Sequence, residues 1–391
     1  MISVSQAKEI LQAHTPIGKS TPVPLEQSIG LICAEDIYSP ISVPSFNNSA
    51  MDGYAIAWED GRTNWELVGE IAAGASSIAS LGIGKAVRIF TGAPIPQAAD
   101  TVIPQEWIEK DGNHVRFDQT RFSKGSNVRL KGTQTESGNI ILKKGSSITP
   151  GTIGLLASVG ISQIPLYSAP TVALIITGNE LQELGKPLSY GQIYNSNGPA
   201  LKTYLKMLGI EKIQSLQVID EPKELQRAID TSLAAADFLI LSGGISVGDY
   251  DYVKTGLAKA GVRELFYKVK QRPGKPLFAG LLNEKVIFAL PGNPASVITC
   301  FNQYVKPSIL QYMGHHNPWK ADARLPLTQG LQSKAGFTFF LKAKTEHGEV
   351  HMLTGQESFN LIAYGSANCL IKVPEICETM EAGELIDVYH W

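Results

Sequence analysis

The chain has 391 residues, 43% of them hydrophobic and 18% charged, and a formal net charge of −2. That length exceeds what one core usually supports, so about two to four domains are expected, and the apolar content excludes a disordered or collagen-like chain. The near-neutral charge argues against a protein that coats DNA or RNA, so no nucleic-acid partner is expected.

Val4, Ala7, Ile10 and Leu11 follow a Ser3…Gln6 capping box at helical spacing and predict an N-terminal helix. Lys8 and Glu9 interrupt any signal-peptide core, and no apolar run approaches the ~18 residues of a membrane span, so a soluble, cytoplasmic protein without a membrane partner is expected. Cys33, Cys300, Cys369 and Cys377 lack metal-ligand spacing and read as free thiols. Residues 1–45 mix helical and extended signals among Pro22, Pro24, Pro40 and Pro44. Residues 46–137 turn Gly-rich and β-like, with short strands near 65–68, 86–90 and 101–103 and a hairpin turn at Asp111-Gly112-Asn113. Residues 138–168 return to strand, helix and strand, the helix capped by Thr149, opened by Pro150 and stopped by Gly160. Segments 1–45 and 138–168 are therefore expected to form one discontinuous domain into which a small β-domain, 46–137, is inserted.

From 169 to 316 the pattern becomes regular β/α alternation. Residues 171–176, 214–218, 238–241 and 286–290 read as strands, and helices are expected from Gly198, from Pro222 and from Pro294. The fold class is thus α/β plus β: a three-layer α/β/α domain on a parallel sheet, the inserted β-domain, and a C-terminal β-domain over 317–391, where the strands are short and helices absent. His315 and His316 read as exposed helix-end residues.

Three Gly-rich loops follow strands of the α/β domain: Thr177-Gly178-Asn-Glu180, Ser242-Gly243-Gly244-Ile-Ser246-Val-Gly248-Asp249 and Pro291-Gly292-Asn293-Pro294-Ala-Ser296. Glycine lets backbone approach a ligand, and N–H groups at the following helix start can hold phosphate oxygens, so these loops are candidate phosphate binders. No Gly-x-Gly-x-x-Gly follows a strand and no P-loop exists, which argues against NAD enzymes and P-loop NTPases. Glu180, Asp249 and Asp251 are candidates for a Mg²⁺ that bridges carboxylates to phosphates. Arg272-Pro273-Gly274-Lys275-Pro276 sets two cations around a rigid turn suited to an anion.

Five segments carry a resemblance. Pro44-Ser-Phe-Asn-Asn-Ser-Ala-Met-Asp-Gly-Tyr-Ala55, Thr91-Gly-Ala-Pro-Ile-Pro-Gln-Ala-Ala-Asp100, Ser242-Gly-Gly-Ile-Ser-Val-Gly-Asp-Tyr-Asp-Tyr-Val253, Pro273-Gly-Lys-Pro276 and Leu290-Pro-Gly-Asn-Pro-Ala-Ser296 resemble, together and in order, the molybdopterin molybdenumtransferases, a family that includes MoeA and the C-terminal domain of gephyrin. The resemblance implies a four-domain homodimer with a site shared by both subunits. It also implies a reaction in which adenylyl-molybdopterin and molybdate give molybdenum cofactor and AMP with a divalent cation. Glu180, Asp251, Lys275, Asp52, Asp100 and the position of Asn47 would carry that chemistry, and Lys342 the molybdate. A molybdopterin adenylyltransferase upstream and molybdoenzyme maturation proteins downstream are the implied protein partners. The sequence departs from the family pattern in three places: Asn47 replaces an acid, Arg129-Leu-Lys-Gly-Thr133-Gln134 lacks the family's Glu-Asp pair, and Lys342 and Ala363 stand where an arginine and a serine are usual. Those departures open a second reading, a paralogue that binds a pterin or nucleotide phosphate as carrier or scaffold.

Overall fold

The computed structural model describes residues 1–75, 80–245 and 252–391. The chain divides into two compact units, one of Pro22–Ile164 and one that joins Met1–Thr21 to Pro165–Trp391. The helix α1 (Val4–His14) starts as its capping box predicts: the Ser3 hydroxyl accepts the Gln6 N–H and the Gln6 side chain accepts the Ser3 N–H.

Within Pro22–Ile164 a mixed six-stranded sheet is built from β1 (Gly53–Ile56), β2 (Trp65–Ile71), β3 (Lys85–Ile89), β4 (Thr101–Pro104), β5 (Glu109–Asp111) and β6 (His114–Arg116), in the spatial order β4-β1-β3-β2-β6-β5. Side-chain alternation gives each face its own core: Tyr54, Ile56, Trp65 and Ile103 on one side, Ala55, Val87, Ile89 and Val102 on the other. The β5–β6 hairpin forms at the predicted Asp-Gly turn. Helix α2 (Pro150–Ser158) opens on the predicted Thr149 cap.

In the other unit the strands β7 (Val172–Thr177), β8 (Ile213–Val218), β9 (Phe238–Ser242), β10 (Arg263–Lys268), β11 (Pro276–Leu282) and β12 (Lys285–Leu290) form a sheet in the order β8-β7-β9-β12-β11-β10. The first four run parallel, as the β/α alternation predicts. The last two are antiparallel and were not anticipated. Only two residues, Asn283 and Glu284, separate β11 from β12, and so short a link can join antiparallel strands alone. Helices α3 (Asn197–Met207), α4 (Pro222–Ala235), α5 (Tyr252–Lys259), α6 (Pro294–Cys300) and α7 (Lys306–Tyr312) complete three layers, a π-helical turn at Phe301–Val305 linking the last two. Leu225, Ile229 and Leu257 of α4 and α5 pack on Ile175, Leu239 and Leu241. The opposite face carries α3, α6 and α7, with the Phe238 ring 5.6 Å from that of Tyr312. Gln311 Nε2 of α7 donates to the Gln12 and Thr15 carbonyls at 2.9 and 2.8 Å, which docks the end of α1 here.

The C-terminal strands β13 (Ala323–Pro326), β14 (Thr338–Glu346), β15 (Glu349–Met352), β16 (Cys369–Val373) and β17 (Leu385–His390) form a second sheet around Val350, Ile371, Val373 and Val388. A two-residue strand, Gln271–Arg272, pairs parallel with Thr338 and Phe339 of β14, so the turn before β11 belongs to the edge of the C-terminal sheet.

Candidate active site

β7, β9 and β12 end side by side, and the chain turns at each end because glycine follows. A cleft of about 380 Å³ opens at this carboxyl edge. Its walls include Thr177 at the end of β7 and Glu180 after it, Ser242 and Gly243 at the end of β9, Pro291, Gly292, Asn293, Pro294 and Ser296 after β12, and Pro276. The structure therefore brings together most of the loop residues singled out from the sequence. Ser246, Gly248, Asp249 and Asp251 lie outside the described residues. Among the described residues no three Asp, Glu, His or Cys side chains gather in a metal-holding cluster.

Two polar residues that the sequence reading missed tie the loops. Asn197, at the start of α3, donates through Nδ2 to Ser242 Oγ at 3.1 Å and to the Gly292 carbonyl at 2.8 Å, bridging the loops after β9 and β12. Ser242 is 1% exposed, and its Oγ donates onward to the Pro291 carbonyl at 3.4 Å. Asp220 follows β8 and accepts the Thr177 hydroxyl, while its N–H donates to Asn179 Oδ1 at 3.0 Å. In the sequence Asp220 lies just before the helix expected from Pro222, and Asn197 just before the one expected from Gly198. Their positions one or two residues beyond a strand end or at a helix's first residue were the available signal.

The turn bearing Arg272, Pro273, Gly274 and Lys275 rests on a buried polar pair. Gln271 Nε2 donates to the Pro273 carbonyl at 3.0 Å, and Gln271 Oε1 accepts the Tyr304 hydroxyl from the π-helical turn. Burial pushes both the Tyr304 phenol and the Cys300 thiol beneath this turn up, so both stay protonated. Lys275 is exposed. The Arg272 guanidinium instead lies 4.7 Å from the Phe337 ring centroid.

Lys342 of β14 is 2% exposed, and its ammonium donates to the carbonyls of Gly355, Glu357 and Asn360 at 2.6, 3.1 and 2.8 Å. Desolvation lowers its pKa, with Glu357 opposing. All three N–H groups are thus engaged by backbone carbonyls. Ala363 is buried in the short turn Ile362–Gly365.

In the Pro22–Ile164 unit three of the sequence segments converge. Val128–Arg129 pairs with Asn48–Ser49, and the Ser49 and Asn47 carbonyls accept the Gly92 and Ile95 N–H groups at 2.9 Å each. Asn47 Oδ1 accepts the Lys131 N–H at 2.8 Å, so the residue replacing the family's acid caps the other departing turn. Asp52 Oδ1 accepts the N–H and hydroxyl of Thr91 at 2.7 and 2.8 Å, and these two donors hold its pKa below the usual carboxylate range, Arg88 adding to the fall. Gln134 is exposed on the 129–134 turn. Asp100 does not join the group. It sits at the far end of β1 from Asp52, where it accepts the Trp58 N–H at 2.9 Å and the Thr101 hydroxyl at 2.8 Å and pairs with Lys124 at 3.4 Å. A wider cleft of about 1020 Å³, lined by Tyr54, Arg88, Phe90, Gln105 and Lys110, borders Asp52, whose carbonyl accepts the Gln105 N–H at 3.0 Å.

Comparison with known proteins accounts for this arrangement. Three family profiles match in order: the MoeA N-terminal region (domain I and II) over residues 2–160, a probable molybdopterin binding domain over 173–311, and the MoeA C-terminal region (domain IV) over 324–391. The molybdopterin molybdenumtransferase of Haemophilus influenzae is 35% identical over 400 aligned positions, which cover 99% of this chain and 98% of that protein. The chain belongs to the molybdopterin molybdenumtransferase family. The Bacillus subtilis member is 32% identical, covering 95% of this chain and 90% of its own. A crystal structure of the MoeA protein from Pyrococcus horikoshii, 29% identical, superposes over 100% of this chain and 99% of that one with a TM-score of 0.86. The family fold therefore extends from end to end of the chain, and no helix among its described residues is long and apolar enough to cross a membrane.

Proposed function

We propose that this chain is a transferase of molybdenum cofactor biosynthesis that inserts molybdate into adenylyl-molybdopterin, releasing AMP and leaving Mo-molybdopterin. The full-length relation to curated molybdopterin molybdenumtransferases carries the reading. The carboxyl-edge cleft supports it. A pterin phosphate linked to AMP is a polyanion with a phosphoanhydride, and splitting that bond calls for oriented hydrogen-bond donors more than for a covalent intermediate. In this reading the loops after β7, β9 and β12 hold the phosphates through backbone N–H groups. Lys275 supplies a compact positive charge from the exposed turn, and Asn197 keeps two of the loops in register.

A divalent cation fits the donor chemistry. The polar side chains at this edge, Thr177, Asn179, Glu180 and Asp220, offer hard oxygens, and Mg²⁺ is commonly held by one or two carboxylates plus substrate phosphates rather than by a full protein cage. Glu180 would hold it with Asp249 and Asp251. When bound, it would neutralise charge developing on the leaving phosphate. We further propose a homodimer, for which light scattering should give twice the chain mass.

The deciding experiment is complementation of a molybdenumtransferase-null strain together with molybdate-dependent AMP release by the purified protein. Restored molybdoenzyme activity and AMP release are the expected result. A folded protein that binds AMP but neither complements nor turns over would replace the transferase reading with a carrier.

A further inference from the structure

We propose that Lys342 is a positioning residue: through the 355–360 loop it fixes segment 291–296, the loop and first turn of α6 that wall the active-site cleft. The importance of that wall rests on the functional reading above; the mechanical coupling does not.

The argument starts from how Lys342 is held. Its N–H donates to Gln356 Oε1 at 2.9 Å, and Gln356 Nε2 donates back to the Lys342 carbonyl at 2.9 Å and to the Leu353 carbonyl at 2.8 Å. The Leu353 N–H also donates to the Lys342 carbonyl at 3.0 Å. Backbone and side chain thus clamp the same excursion from opposite ends. An ammonium has three donors, and here three carbonyls of one loop take them. Without the ammonium, the Gly355 and Asn360 carbonyls would lose this donor and the Glu357 carbonyl would keep only the Asn360 N–H at 3.1 Å, a costly arrangement in a part-buried place.

The clamped loop reaches the cleft wall. The Ala295 N–H donates to the Ser358 carbonyl at 3.3 Å. On the other side Tyr364, whose ring centroid lies 5.2 Å from Lys342 Nζ, donates its hydroxyl to the Ala295 carbonyl at 3.4 Å. Ser358 lies in the loop the ammonium clamps and the Tyr364 ring faces the same ammonium, so two contacts to the Ala295 backbone, in the first turn of α6, come from groups next to Lys342. A lysine serves this role better than an arginine would, because a compact point charge can address three converging carbonyls and a planar fork cannot.

The test uses the full chain with Lys342→Met and Lys342→Arg, read by hydrogen exchange and by AMP titration. Lys342→Met should raise amide exchange at least tenfold in peptides spanning 291–300 and 353–362, leaving β7 and β9 at wild-type protection, and weaken AMP binding about tenfold. Lys342→Arg should remain defective in both. Tyr364→Phe, which removes only the hydroxyl, should raise exchange at 291–300 and spare 353–362, and it keeps the test available if Lys342→Met does not fold. Unchanged exchange at 291–300 in Lys342→Met and Tyr364→Phe would overturn the proposal. So would full recovery with arginine together with a defect confined to the molybdate KM, the pattern of a direct oxyanion ligand. Raised exchange with unaltered AMP affinity would uphold the coupling and count instead against the cleft as the nucleotide site.

Discussion

Two glycines of the cleft can be separated by a single methyl group. A Cβ on Gly243 would stand 2.1 Å from the Thr177 carbonyl oxygen, and the residue has φ +93°. The positive φ costs an L-residue about 1–2 kcal/mol, and moving packed backbone to relieve the contact adds about 1–3 kcal/mol. Gly243→Ala is thus expected to lose about 2–5 kcal/mol. A Cβ on Gly292 meets nothing within 4 Å, and its φ is not in the left-handed region. Gly292→Ala should keep or slightly raise stability, by up to about 1 kcal/mol, because alanine restricts the unfolded chain. Gly292 nevertheless lines the cleft, so the added methyl occupies space that a phosphate would need. AMP affinity should fall at least tenfold, about 1.4 kcal/mol. Urea unfolding followed by circular dichroism, paired with calorimetric AMP titration, reads both quantities. Wild-type unfolding of Gly243→Ala, or a Gly292→Ala variant that loses stability and keeps its affinity, would refute the geometry argued here.

Lys275→Ala should weaken AMP binding by about 1.5–3 kcal/mol, the range for a charge-assisted hydrogen bond, and calorimetry showing unchanged affinity would place the phosphate elsewhere. Asn47→Asp with Gln134→Asp should raise molybdate-dependent AMP release at least about tenfold, roughly 1.4 kcal/mol off the barrier. The Lys131 N–H bond is kept by either an amide or a carboxylate oxygen, so a response in rate without a change in stability isolates the charge. Lys8 lies over the Tyr389 ring at 4.4 Å and donates to Gln303 Oε1 at 2.7 Å; burial, with Lys372 adding, lowers its pKa to about 7 against the opposing Asp387 and Asp322. The folded state then binds fewer protons than the unfolded state between about pH 7 and 10.5, so stability rises with pH there, by at most about 1.4 kcal/mol per unit. Lys8→Met should flatten that rise in urea midpoints measured from pH 7 to 9.

Much of the fold was legible because its signals are local. The Ser3 and Thr149 caps, the Asp-Gly hairpin and the apolar runs of β7, β9 and β12 act within a few residues, and each appears where the sequence places it. The antiparallel β11 was not legible, since Pro276 and the Gly280 interruption blur its strand pattern and only pairing with β12 settles it. The first 21 residues joined a unit that resumes only at Pro165, through contacts such as Gln311 to Gln12, which no local pattern announces. The same limit governed the site. Gly-rich loops advertise themselves, whereas Asn197 and Asp220 matter through partners 45 and 43 residues away.

The C-terminal β-sheet shows why a small domain without Gly-rich loops bears on this cleft. It takes Gln271–Arg272 into its edge beside β14, fixing the start of the turn that carries Lys275. From the same strand Lys342 secures the loop that meets Ala295. Two of the cleft's borders therefore depend on β14, one through backbone pairing and one through a side chain. Exchange of arginine for Lys342 leaves the first support intact and strains only the second. The family position can accordingly change residue without unfolding the sheet, while the way the cleft wall is held changes with it.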